Sequence, residues 1–180
     1  MFNPPTPLSP AGMTLADYTS ASMIIPQLRG QDTASVIQEL SQSLQLGKRV
    51  PDLLPFYHAA LNQEFLVSSD MEAGMVFPHA RLPGLKELSF AVGRSKSPLD
   101  WGAKNTYPVR LVFLIAVPAT DSTQYLLLNS GFARLAKDSQ LVAKVHAARD
   151  AFQMLEVFQQ IKLQTNQSND VLKKSRITSD

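Results

Sequence analysis

Apolar residues fall along this chain in two rhythms. Between residues 32 and 46, Val36, Ile37, Leu40, Leu44 and Leu46 recur three or four positions apart, behind Gln31-Asp32-Thr33 and ahead of Gly47. This is one helix face between an N-cap and a C-terminal glycine, and it predicts a helix over about 32–46. Pro51-Asp52 opens a second helix, with Leu53, Leu54, Tyr57, Leu61 and Phe65 expected along its buried side. Pro55 is tolerable there because it falls in the first turn. Three more helices are expected in the last third of the chain. One follows Asp121-Ser122-Thr123 to Lys137 and carries Leu126, Leu127, Phe132 and Leu135. The next runs from Asp138-Ser139 to about Ala147. The last starts at Arg149 or Asp150 and carries Phe152, Leu155, Val157, Phe158 and Ile161. The second rhythm is the short unbroken apolar run, which reads as a strand. Met23-Ile24-Ile25 with Leu28, Gly74 to Phe77, Leu88 to Gly93 and Val109 to Val117 are such runs. The longest is apolar on both sides, the mark of a central strand covered on both faces. Ser68 to Ala73 and Ser95 to Gly102 are polar and predicted as loops, and Leu82-Pro83-Gly84 as a turn. The order is strand, two helices, three strands, three helices. It predicts an α/β protein, a three-layer α/β/α sandwich around a mixed β-sheet.

Composition narrows this picture. A chain of 180 residues, 44% of them hydrophobic, fits a single domain with an adequate core. The absence of cysteine excludes disulfides, thiolate metal sites and cysteine nucleophiles. No apolar run approaches the roughly 20 residues of a membrane span. Four of the 17 basic and two of the 15 acidic residues lie between Lys162 and Asp180, so the rest balances at 13 of each sign. A neutral domain has no clustered basic face for nucleic acid. Met1 to Gly12 carries four prolines and no basic residue, which excludes a signal or transit peptide. A flexible leader over 1–14, a domain over 15–163 and a disordered tail over 164–180 are expected.

The chemistry centres on Pro78-His79. Proline cannot continue a central ladder and holds its predecessor extended, so His79 is expected just past the strand end, at the sheet rim. A histidine fixed there can act as nucleophile, base or metal ligand. The chain lacks the GxxxxGK[ST], GxGxxG, HExxH and GxSxG patterns. The other histidines, His58 and His146, fall on predicted helices as surface or packing residues, so no metal site and no cofactor are expected. A lone imidazole at a rim suits attack on an already activated phosphoryl group. One ring nitrogen attacks while a backbone carbonyl holds the other. The helix start after Pro118 to Thr123 is a second favourable place for an anion. Whether the two ends share one crevice is left open by the sequence.

Three stretches carry a family resemblance: Gly74 to Glu87 (GMVFPHARLPGLKE), Pro108 to Pro118 (PVRLVFLIAVP) and Phe132 to Ala148 (FARLAKDSQLVAKVHAA). Over residues 15–161 the chain resembles the IIA domains of the fructose/mannitol class of the bacterial sugar phosphotransferase system, including nitrogen-regulatory IIA proteins. The resemblance implies that His79 is phosphorylated, with Glu64, Ser69, Arg81 and Tyr125 as supporting residues. It implies an HPr-like phosphocarrier as donor, a IIB domain or a regulatory target as acceptor, and a cytoplasmic location without nucleic-acid binding or membrane insertion. Neither transport domain is fused to the sequence, which directs the expectation to a regulatory member. Three positions depart from the family pattern. An Arg-Glu pair is here Gln63-Glu64. A Ser-Thr-Gly-Ile-Gly loop is here Ser68-Ser69-Asp70-Met71-Glu72, with both glycines replaced by acids. A His-Leu at a helix start is here Tyr125-Leu126. These departures define the alternative, a degenerate IIA fold that works as a binding module without phosphorylation. Arg94 joins Arg81 as a candidate phosphate or partner contact.

Overall fold

The computed structural model describes residues 12–66, 73–102, 108–121 and 123–163. The loop expected over Ser68 to Ala73 lies almost wholly outside them, as do Ser69, Asp70 and Glu72, most of the expected leader and the expected tail. The elements follow the order β1 (Ile24–Ile25), α1 (Thr33–Leu46), α2 (Leu53–Leu66), β2 (Met75–Val76), β3 (His79–Leu82), β4 (Ser89–Leu99), β5 (Val109–Pro118), α3 (Gln124–Lys137), α4 (Ser139–Ala147) and α5 (Ala151–Gln159). Short 3-10 turns at Leu15–Tyr18 and Ala21–Met23 precede them.

The caps explain most helix starts. Asp32 accepts from the Ser35 amide at 2.8 Å, Asp138 from Gln140 and Leu141 at 3.0 and 3.1 Å, and Asp150 from Gln153 at 2.9 Å. Each bond satisfies an amide that the first turn leaves without a helical partner.

The sheet is mixed. β5 pairs antiparallel with β4 and parallel with β2 and β3, and β1 pairs parallel with β4. The order is β1-β4-β5-β2, with β3 also against β5, so β2 and β3 form one edge. Nine of the ten residues of β5 are buried. Alternate residues feed two cores: Leu111, Phe113, Ile115 and Val117 face α3 and α5, and Val112, Leu114 and Ala116 face α1 and α2. Each such buried side chain stabilises by about 1.5–3 kcal/mol. Thr14 and Lys162 form an antiparallel bridge, and Leu163 N donates to Met13 O at 2.9 Å, tying the two ends of the described chain together.

Three expectations require correction. Pro78 does not end the strand. The chain breaks at Phe77-Pro78 and resumes as β3, with His79 paired to Ile115 and the Ile115 amide donating to Pro78 O at 2.9 Å. An edge strand tolerates a proline because the missing amide has no neighbour to serve. Second, Ser95 to Gly102 is not a loop. β4 continues to Leu99 through an irregularity between Arg94 and Leu99, because extended backbone survives a polar sequence where one face is exposed. Third, α2 buries Phe56, Ala60 and Glu64, whereas Leu54 and Phe65 are 63% and 69% exposed. Its apolar residues run most of the way round the helix. Periodicity therefore does not select a face, and packing against β3 does.

Candidate phosphoryl site at the sheet edge

The site is built on the edge formed by β2 and β3. Gly74, with φ +75°, turns the chain into β2, and its carbonyl accepts from the Arg110 amide at 3.0 Å. A side chain there would be strained by that φ and would meet Pro108 O at 2.8 Å. Four residues after this anchor, Pro78 places His79 at the start of β3, half-buried. Its ring donates to the Phe77 carbonyl, which fixes one ring nitrogen as the N–H and leaves the other as a lone-pair nitrogen. The Phe77 side chain packs on Phe113 and Phe132, at 5.4 and 5.1 Å between ring centres, so the carbonyl is held by the core.

Three side chains set the environment of that imidazole. From α3, the Tyr125 ring lies 5.5 Å from the His79 ring, tilted by 41°. Burial raises the Tyr125 phenol above its ordinary pKa, and its hydroxyl shares a hydrogen bond with Asn129. Two residues along β3, Arg81 points to the same face. Its Nη1 donates to Pro118 O at 3.1 Å and to Asp121 O, and its guanidinium carbon lies 5.9 Å from the centre of the Tyr125 ring. From α2, the buried Glu64 carboxylate accepts from Trp101 Nε1 at 2.9 Å and acts electrostatically on His79. Burial lowers the His79 pKa below its ordinary value. The Phe77 hydrogen bond and the Glu64 charge oppose that shift, and Arg81 adds to it. The ring is therefore neutral at neutral pH, the state in which imidazole is a nucleophile.

Of the residues expected from the sequence, His79, Glu64, Arg81 and Tyr125 converge here, and Ser69 lies outside the described residues. The two strand ends lie side by side: Arg81 bridges β3 to the chain leaving β5, and Tyr125 of α3 lies beside His79. The start of α3, expected to be open to an anion, already holds one. Asp121 Oδ1 accepts from the Tyr125 amide at 3.2 Å. Arg94 is not at the site. Its Nε donates to Pro26 O at 3.0 Å, and its Nη1 donates to the carbonyls of Val145, His146 and Ala148 at 2.7, 3.1 and 2.8 Å, closing the C-terminus of α4. Trp101 was not foreseen because it falls in the polar stretch read as a loop. The signal was there: it is the chain's single tryptophan. Among the described residues no group of three His, Asp or Glu side chains is placed to hold a metal, and no helix is long and apolar enough to cross a membrane.

Comparison with known proteins agrees with this fold. A nitrogen regulatory protein from Bradyrhizobium diazoefficiens is 27% identical over 140 residues, which are 77% of this chain and 90% of that protein. The EIIABC component specific for 2-O-alpha-mannosyl-D-glycerate from Escherichia coli is also 27% identical, over 146 residues, but the chain spans only 22% of its length. Crystalline nitrogen regulatory protein IIA-Ntr from Neisseria meningitidis superimposes with a TM-score of 0.66 at 19% identity, covering 80% of this chain and 98% of that one. Mannitol IIA from Escherichia coli, in complex with phosphorylated mannitol IIB, does so with a TM-score of 0.65 at 14% identity, covering 77% and 95%. The family model described as phosphoenolpyruvate-dependent sugar phosphotransferase system, EIIA 2, matches residues 17–161, and the chain belongs to that family.

Proposed function

We propose that this IIA-type domain is a phosphoryl carrier that accepts the group on His79. The observation that carries the reading is the state of that ring: half-buried, below its ordinary pKa, and fixed at one nitrogen by the Phe77 carbonyl. In the forward step the lone-pair nitrogen of His79 attacks the phosphorus of a phosphohistidine on an HPr-like donor. A P–N bond forms to His79 as the donor P–N bond breaks, and the donor imidazole leaves with the electron pair. Positive charge grows on the His79 ring, where the Phe77 carbonyl and the Glu64 carboxylate stabilise it. Arg81 supplies positive charge on the side where the phosphoryl oxygens arrive. Transfer onward reverses these roles toward a IIB-like domain or a regulatory target. Mannitol IIA, which shares this fold and forms a complex with phosphorylated mannitol IIB, supports a IIB-like partner. A cytoplasmic location follows from such partners.

A second reading, a binding module without phosphorylation, is favoured by two observations. Arg81 is already engaged by two carbonyls, and Asp121 already occupies the start of α3. One experiment separates the readings. The full chain is incubated with phosphoenolpyruvate, enzyme I and HPr and weighed intact. A gain of one phosphoryl mass, lost in acid and absent in His79→Ala, is expected. No gain with a competent HPr would establish the binding module.

A further inference from the structure

Glu64 is 5% exposed, and an ionised carboxylate at that depth requires fixed donors. Trp101 provides one from a distant part of the chain. The indole is itself 7% exposed, and its Nε1 lies 2.9 Å from Glu64 Oε1. What distinguishes this donor is how firmly the backbone behind it is held. Leu99 closes the β4–β5 ladder against Val109. Asp100 is clamped to the start of α1: its amide donates to Gln31 O at 2.8 Å, and its carbonyl accepts from the Thr33 amide at 3.2 Å. Gly102, at φ +103°, then turns the chain away. The indole is thus delivered from a fixed segment to the last turn of α2, and α2 packs against the strand that carries His79.

We propose that Trp101 is a positioning residue, whose indole N–H holds the Glu64 carboxylate in one orientation toward His79. The inference rests on the reading of His79 as the phosphoryl acceptor. It adds the group that fixes the counter-charge for the ring as positive charge develops there. His79 is faced by Glu64 from α2, by Arg81 from its own strand and by Tyr125 from α3. Glu64 is the one of the three that favours the charged ring, so its placement governs how easily that charge forms. Without the indole donor, the carboxylate is no longer held in one place, and its influence on the ring falls.

The test is a proton NMR titration of the His79 ring in the full chain, assigned with His79→Asn. Trp101→Phe keeps the aromatic volume and removes the donor. The His79 midpoint is expected to move to lower pH in Trp101→Phe and in Glu64→Gln, with no further shift when the two are combined. An unchanged or raised midpoint in Trp101→Phe, or a Trp101→Phe shift that persists in the Glu64→Gln background, would overturn the proposal. If Trp101→Phe fails to fold, the indole N–H resonance of the otherwise intact chain decides. It is expected to move upfield in Glu64→Gln, and an unmoved resonance overturns the proposal. The titration needs no phosphate. A protein that shows the shift and refuses the phosphoryl group would sink the carrier reading alone.

Discussion

Arg81 and Arg94 sit in two regions built alike. Both leave a strand of the same sheet, both reach main-chain carbonyls, and both were candidate phosphate contacts in sequence. Arg94 spends its donors on four carbonyls, three of them at the end of α4, where the helix leaves its last carbonyls without amide partners. Arg81 bonds two carbonyls through a single nitrogen and lays its plane near Tyr125, on the face of β3 that carries His79. The same residue type acts in one place as a cap that joins β1, β4 and α4, and in the other as a charge beside His79. Residue type and exposure do not separate these roles. The number and origin of the carbonyls do.

The contrast is broken most forcefully at Arg94. Arg94→Ala leaves four carbonyl acceptors without their donor and is expected to cost about 2–4 kcal/mol of stability in a denaturant melt. The phosphoryl acceptance of the molecules that remain folded should be unchanged. A variant as stable as the parent would show that water replaces the guanidinium and that the cap reading is wrong. Arg81→Gln should reverse the pattern. Stability falls by about 1 kcal/mol, whereas the rate of phosphoryl acceptance falls roughly 100-fold. The His79 midpoint rises, because Arg81 is one of the influences that lower it. Equal losses of stability from the two variants would erase the distinction between the regions.

The smallest effect is in acid. His79 is held below its ordinary pKa mainly by burial. His146, beside the Arg94 region, is held below it by burial and then by the Arg94 and Arg110 charges. For both, the unfolded chain takes up its proton at higher pH than the folded one. The stability they contribute is therefore present above the ordinary histidine value of about 6.5 and is lost as pH falls from there through the folded values. Replacing either histidine by Gln should flatten the decline of stability in that window. A decline that is unchanged in both variants would exclude the histidines as its source. Acceptance by His79 should persist to pH values below the ordinary histidine midpoint, since its ring stays neutral there.

Much of the site was legible because its parts lie close in sequence or carry their own signal. Pro78-His79 could be named from local pattern, Arg81 and Tyr125 from the family resemblance, and all three meet. The tie between Glu64 and Trp101 spans 37 positions and two elements, and no periodicity records it. The wrong face of α2 has the same origin. Leu54, Tyr57, Leu61 and Phe65 make an apolar helix, but whether they or Phe56, Ala60 and Glu64 turn inward is settled by the surface opposite.

What the chain determined by itself is the five helices in their order, the caps of three of them, and the central strand. Asp32, Asp138 and Asp150 bond amides within three residues of themselves, and the run from Val109 to Val117 is apolar enough to be central in any arrangement. Local hydrogen bonds and burial preference suffice for these. Tertiary structure alone decided that Pro78 interrupts an edge strand instead of ending it, that β4 runs on through Ser95 to Leu99, and that one arginine became a cap and the other a neighbour of His79. Each of these depends on a partner far along the chain: the open side of β2 and β3, the ladder to β5, and the carbonyls at the end of α4. A one-dimensional pattern carries preferences for burial and turning, and partners exist only once the chain has folded.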